Sequence, residues 1–254
     1  GLIGSWAVIR TQSVEVPLPE PYDPDTLLVA VRAVVDRHDI LRSRLSVDDD
    51  GRWHHVVDEA TAQMDMPEIT TVDVMAEPGT VAFAAGVDAA VRAATDSLDP
   101  EAGRVAQFVL MQSHTAQSLA AGSDTGARRL VIVLHHLVVD GVSWRILLPD
   151  LATAWAQHSA GVSVDLAPVG TSMRRWARGM TELAATPAIR SELAHWRAVT
   201  EGPNSVALPL DPRRHVVATL QRRELHLTPE LTETLLTRVP QAFHAGVNDG
   251  LLAA

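Results

Sequence analysis

Residues 131–151 read VIVLHHLVVDGVSWRILLPDL, and the change of period within this stretch decides the fold. Val131, Ile132, Val133 and Leu134 form an unbroken apolar run, the pattern of a strand buried on both faces. Two histidines follow, and then an Asp140-Gly141 turn. From Ser143 the apolar residues Trp144, Leu147, Leu148, Leu151 and Trp155 recur at helical spacing. Pro149 falls several residues inside that helix and predicts a kink. A central strand that turns sharply into a helix places the intervening loop at the edge of a sheet.

The flanking sequence interleaves further strands and helices. AVIRTQSVEVPLP alternates as a strand, and Asp23-Pro24 forms a cap and first-turn pair for a helix to about His38 with Leu27, Leu28, Val31, Val34 and Val35 on one face. ILRSRLSVDDDGRWHHVVDEA predicts two strands around an Asp-Asp-Gly turn in which Gly51 takes positive φ. The acidic run Asp48–Asp50 is a turn rather than a calcium loop, since no Glu follows at the twelfth position. GTVAFAAGVDAAVRAATDSL predicts a second helix, RVAQFVLMQS a strand and Ser113–Ala127 a polar loop. GVSVDLAPVGTS, residues 161–172, is a connector between lobes. Helices are expected over SMRRWARGMTELAA and AIRSELAHWRAV, then a Pro- and Arg-bearing loop EGPNSVALPLDPRRH, a strand ATLQRRELHL and a capped helix TPELTETLLTRV. The order predicts an α+β, mixed α/β fold in two lobes.

Composition narrows the function. At 46% hydrophobic and 20% charged, 254 residues suffice for one large or two modest cores. With 21 basic against 31 acidic side chains the net charge is -10, which argues against a nucleic-acid partner. No apolar run reaches the roughly 18 residues of a membrane helix, and GLIGSWAVIR lacks the features of a signal peptide. The expectation is a cytoplasmic protein with no membrane partner. Both ends look cut, as though the chain were a piece of something larger. The absence of cysteine excludes disulfides, thiolate metal sites and a Cys nucleophile, so chemistry falls to His, carboxylates or hydroxyls.

The histidine pairs carry the remaining signal. If the strand continues through His135 and His136 they point to opposite sides, so one can face a cavity while the other is structural. Two readings stay open: a strand-end pair that packs against a helix, or one imidazole presented at the loop. His54-His55 lies in an alternating hairpin strand with no Asp-Gly turn after it, and is expected to be structural. Zinc is not expected at either pair, because adjacent strand residues cannot converge on one ion and no third ligand has helical spacing. No G-x-S-x-G elbow supports a serine nucleophile.

HHLVVDG is similar to the HHxxxDG signature of the superfamily that contains chloramphenicol acetyltransferase and the condensation domains of nonribosomal peptide synthetases. The longer string HHLVVDGVSWRILLPDL resembles the epimerization branch, with VVDRHDILRSRL, TSMRRWARGMTELAATPAIRSELAHWRAV and LLTRVPQAFHAGVNDGLLAA in agreement. The resemblance spans essentially the whole chain. It implies a two-lobe, chloramphenicol acetyltransferase-like fold with the active site between the lobes, residues 1–168 forming the first and 169–254 the start of the second. It further implies inversion at Cα of an aminoacyl or peptidyl thioester carried on the 4'-phosphopantetheine of a peptidyl carrier protein, with neighbouring synthetase domains as partners and no directly bound cofactor or metal. His136 is the implied imidazole that reaches substrate, as acid/base or donor to an enolate oxygen, with His135 its structural partner and Asp140 holding the loop. Gly141, Ser143 and Trp144 complete the loop along the substrate tunnel. Gly141 keeps it open, and Trp144 is expected to pack in the core rather than stack on substrate. Arg174, Arg175 and Trp176 are expected to serve lobe packing and solvation.

A full epimerization domain continues past NDGLLAA with a Glu-Gly-His-Gly-Arg segment whose Glu is the opposing acid/base, and this sequence contains no such segment. The second lobe is therefore expected to be incomplete and the 254-residue chain weakly active or inactive alone. Two alternatives stand beside epimerization. One is a condensation-type acyl transfer in which His136 deprotonates the nucleophile. The other is a noncatalytic lobe that docks a carrier through a basic patch at Arg213, Arg214, Arg222 and Arg223.

Overall fold

The computed structural model describes residues 11–57, 68–114, 126–201 and 225–253, with isolated positions at 211, 213, 214, 219 and 221. The chain divides into two compact units, Gly1–Thr200 and Glu201–Ala254.

The first unit is built on a four-stranded mixed sheet. Strand β1 (Thr11–Pro17), helix α1 (Pro24–Arg37), the hairpin strands β2 (Ser43–Val47) and β3 (Trp53–Val57), β4 (Ile69–Val74), helix α2 (Val81–Ser97), β5 (Ala106–Ser113), β6 (Arg128–His135) and helix α3 (Trp144–Ser159) follow in order. The large sheet runs β1-β6-β5-β4, and β2-β3 pair separately. β6 is antiparallel to both its neighbours, with Gln12 opposite Leu134 on one side and Ala106 opposite it on the other. β4 and β5 are parallel, joined by the α2 crossover.

Two cores clasp the sheet. Leu130, Ile132 and Leu134 of β6 pack with Leu27, Val31 and Val34 of α1 and Leu147 and Leu151 of α3, whereas Val131 and Val133 pack with Phe83, Ala90 and Ala94 of α2. The unbroken apolar run is thus a central strand buried on both faces, as its sequence predicts. Each fully buried Val or Leu contributes about 1.5–3 kcal/mol.

Local signals explain the element starts. Asp23 caps α1, its carboxylate accepting from the amides of Asp25 at 3.3 Å and Thr26 at 3.0 Å, with Pro24 at the first helical position. Thr80 caps α2 through the Phe83 amide. In the hairpin Gly51 has φ 75, and Asp48 accepts from the amides of Asp50 and Arg52, so the acidic run is a turn. Among the described residues of that hairpin the strands end at Val57; Asp58–Ala60 lie outside them.

α3 runs unbroken past Pro149. Pro149 is its sixth residue, so the helix continues there with one backbone donor missing from its ladder. α3 is tied to both ends of α1: His38 Nε2 lies 2.7 Å from Asp150 Oδ2, and Thr26 Oγ1 lies 2.9 Å from His158 Nδ1. The connector after α3 is anchored by paired Gln157–Asp165 hydrogen bonds and by buried Leu166.

Helices α4 (Met173–Ala184), α5 (Pro187–Ser191) and α6 (Leu193–Glu201) follow, and none carries a buried residue. Arg174 and Arg175 are exposed, and Trp176 is 54% exposed. The second unit contains α7 (Pro229–Glu233), capped by Thr228, then one π-helical turn at Thr234–Arg238, α8 (Val239–Phe243) and α9 (Val247–Ala253). The wide turn precedes Pro240, whose ring lacks an N–H and crowds the preceding turn.

Two elements depart from the sequence reading. β4, ITTVDV, has no counterpart in it, because a short segment rich in Thr announces itself only through its pairing with β5. The strand expected over Ala218–Leu227 is not present at its described positions, Thr219, Gln221 and Leu225–Leu227. Alternation alone does not make a strand, which also needs a partner to pair with. The start GLIGSWAVIR, most of the loop 113–127 and most of the Pro- and Arg-bearing loop lie outside the described residues, as do Arg222 and Arg223; Arg213 and Arg214 are exposed.

Candidate active site

β6 delivers its two histidines to different environments because it stops between them. His135, the last strand residue, is 5% exposed. Its amide donates to the Val105 carbonyl at 2.8 Å, and its ring Nδ1 accepts from the Leu137 amide at 3.1 Å. By alternation it shares the α2 side of the sheet with Val131 and Val133. His136 stands past the strand and is exposed. Its Nε2 lies 3.4 Å from Gln12 Nε2 of β1, on the side of the sheet that carries α1 and α3.

The loop between His136 and α3 is fastened at both ends. Val138 and Val139 are buried in the larger core, and the Val138 amide closes a turn on the His135 carbonyl at 3.0 Å. Asp140 Oδ1 then accepts from the Val142 amide at 3.0 Å, the Ser143 amide at 2.8 Å and the Ser143 hydroxyl at 2.7 Å, while the Asp140 amide donates to Ser143 Oγ at 3.1 Å. This reciprocal pair satisfies amides at the start of α3 that the helix cannot. The Ser143 hydroxyl, chiefly, and then the Ser143 amide hold the Asp140 carboxyl below the usual carboxylate range; the Val142 amide and the charge of nearby His136 add to this. Asp140 is therefore ionised at neutral pH.

Gly141 has open space where a Cβ would project, so none of the described residues demands glycine there by crowding it. Trp144 opens α3, packs partly against the larger core, and donates from its indole N–H to Gln12 Oε1 at 2.7 Å. The structure thus gathers His136, Asp140, Ser143 and Trp144 around one loop, with His135 behind them in the interior.

Gln12 is the residue that sequence reasoning missed. Nothing in RTQSVEV marks it until β1 is registered beside β6, a pairing across 120 residues of chain that no local pattern encodes.

The hairpin histidines are arranged otherwise. His54 Nε2 lies 2.8 Å from Asp48 Oδ2, and His55 Nε2 lies 2.7 Å from Ser43 Oγ. Each is partnered within its own hairpin.

The loop at the end of the strand thus carries an exposed imidazole and, four residues on, a carboxylate fixed by its own hydrogen bonds. Residues 9–254 match the family described as the condensation domain. The chain belongs to the condensation-domain family. One of the linear gramicidin synthase proteins of Brevibacillus parabrevis is 32% identical to the domain over 246 residues, which cover 96% of this chain and 4% of that protein. Tyrocidine synthase 1 of the same organism is 27% identical over 256 residues, 99% of this chain and 21% of that protein. The domain thus spans a small part of these curated relatives. Among solved structures, the epimerization domain from the third module of tyrocidine synthetase B superimposes with a TM-score of 0.75 at 24% identity, over 96% of this chain and 52% of that one. The first condensation domain of the calcium-dependent antibiotic synthetase, in complex with a substrate analogue, gives 0.67 at 22% identity, over 97% and 53%. The domain has the mixed α/β fold expected of it.

Proposed function

We propose that this condensation-family domain acts within a nonribosomal peptide synthetase as an epimerization domain. Its substrate is an aminoacyl or peptidyl thioester carried on the 4'-phosphopantetheine of a peptidyl carrier protein, and neighbouring synthetase domains are its partners. The observation that carries the reading is the strand–turn–helix of HHLVVDGVSWRILLPDL, which leaves His136 exposed while burying His135 and locking Asp140 into the loop. On this reading residues 1–168 are the first lobe and 169–254 begin the second.

The chemistry follows from the thioester. Its carbonyl acidifies the Cα–H bond; His136 takes the proton, the electron pair delocalises onto the carbonyl oxygen as an enolate, and a protonated acid on the opposite face, the role that the resemblance gives to the Glu of a Glu-Gly-His-Gly-Arg segment not contained in these 254 residues, gives its proton to Cα. An imidazole can both take up and give back a proton, which suits it to this transfer. Asp140, with one oxygen accepting three hydrogen bonds, serves as the strut of the loop rather than as the second base. Gly141 leaves free volume beside it for substrate.

Deuterium incorporation at Cα of a carrier-bound thioester in heavy water tests the proposal. The assay is run on the 254-residue chain, on a version extended to the length of the solved epimerization domain, and on His136→Ala of each. Exchange that depends on His136 supports epimerization. Amide formation without Cα exchange would overturn it in favour of condensation, the reading that the family description favours. Carrier binding with neither reaction would leave a docking lobe.

A further inference from the structure

His136 does not meet β1 by chance of packing alone: Gln12 stands between it and Trp144. Gln12 belongs to the strand face that also carries Val14 and Val16, both packed on the larger core. Its backbone is registered against Leu134, two residues before His136. From this fixed base its amide spans two rings, with Oε1 2.7 Å from Trp144 Nε1 and Nε2 3.4 Å from His136 Nε2.

The donor inventory fixes the direction of both bonds. An indole nitrogen can only donate, so the carboxamide oxygen must face Trp144. The carboxamide nitrogen then faces His136, and it too can only donate. His136 Nε2 must accept, and in the neutral ring the proton resides on Nδ1. The geometry points to Gln12 as a positioning residue: oriented by Trp144, it sets the tautomer and the ring orientation of His136 so that Nε2 presents its lone pair. This inference rests on the reading of His136 as the reacting imidazole. At 3.4 Å the contact is near the outer limit of hydrogen bonding. It therefore orients the ring without committing the lone pair, which a substrate proton can claim in exchange.

The arrangement also joins three elements at the point of chemistry. β1 supplies Gln12, the end of β6 supplies His136 and the first residue of α3 supplies Trp144. A shift of the strand edge or of the helix start would reach the imidazole through this one side chain.

The test reads the tautomer directly, by nitrogen-15 NMR of the His136 ring at about pH 8, where an ordinary imidazole is neutral; the resonance is assigned by its loss in His136→Ala. The wild-type chain should carry the proton on Nδ1. Gln12→Glu keeps an oxygen for Trp144 but turns an acceptor toward the ring, so the proton should move to Nε2. Trp144→Phe removes the donor that orients the amide and should give a mixture of the two tautomers. In the Cα exchange assay Gln12→Leu should lower kcat by about 10–100-fold with KM changed less than about twofold, the mark of a misplaced catalytic group rather than of lost binding. A proton on Nε2 in the wild type, or a tautomer indifferent to Gln12→Glu, would overturn the positioning role. If exchange is absent at every chain length while the tautomer follows Gln12, the epimerization reading falls and the positioning stands. If exchange depends on His136 while both tautomer and rate ignore Gln12, the reverse holds.

Discussion

The molecule contains the same dipeptide twice, at His54-His55 and at His135-His136, each on an antiparallel strand, and the two pairs have opposite fates. In the hairpin both rings find partners within twelve residues, Asp48 for His54 and Ser43 for His55. At the end of β6 the pair straddles the point where the strand stops, so one ring goes into the interior and the other stands exposed beside a residue from a distant strand. Two adjacent histidines are therefore no signal in themselves. What separates the pairs is the termination of a strand buried on both faces by a turn into a helix, which gives one imidazole a rigid base and leaves it open to a ligand.

The largest effect that can break this comparison is catalytic. In the version extended to the length of the solved epimerization domain, His136→Ala should lower Cα exchange by about 10²–10⁴-fold, the usual contribution of a positioned acid/base group, while His55→Ala should leave the rate within about twofold. Equal losses in the two variants, measured with both proteins shown to be folded, would erase the distinction.

Stability should rank the same residues in a different order. His135 is 5% exposed and its ring accepts from the Leu137 amide, so His135→Ala both opens a cavity and strands a part-buried donor; about 2–4 kcal/mol is expected from urea unfolding. His136→Ala, at an exposed position, should stay within about 0.5 kcal/mol. A mild His135→Ala would mean that the inner imidazole is not the structural member of the pair.

Asp140 joins the two properties. Asp140→Ala removes the acceptor of three loop hydrogen bonds and should cost about 1 kcal/mol, the usual loss for a helix-capping side chain, together with a fall in Cα exchange as the loop loosens. Asp140→Asn, which retains an acceptor oxygen, should recover most of both. A variant that keeps stability but loses all exchange would instead assign Asp140 to the chemistry itself.

How far the sequence reads this site depends on how local each cause is. The period change from Val131 to Leu151 exposes β6, the turn and α3 at once, because burial on both faces and helical spacing are written in consecutive residues. Gly51 marks its turn for the same reason. Gln12 is invisible, since its importance comes from the register of β1 on β6, and β4 is nearly so, since its threonines become strand residues only beside β5. Thr219, Gln221 and Leu225–Leu227 err in the other direction: the alternation around them suits a strand, yet none of these described positions is in one. The structure adds to sequence pattern what pairing alone can decide.

The smallest effect separates the pairs by pH. Partial burial holds the His55 imidazole below the usual histidine value. Ser43, itself fully buried, donates its hydroxyl hydrogen to the Ile40 carbonyl at 2.6 Å, so its oxygen is left to accept from His55 Nε2–H at 2.7 Å. Because the folded value is depressed, the unfolded chain binds a proton first as pH falls below about 6.5. Over that window the unfolded state carries more protons than the native state, so stability declines with falling pH until the folded value is passed, and it is fully present above the unfolded one. His55→Gln should flatten this part of a stability–pH curve measured by urea unfolding. A slope that persists in His55→Gln would place the responsible proton elsewhere and remove the hairpin pair from the comparison.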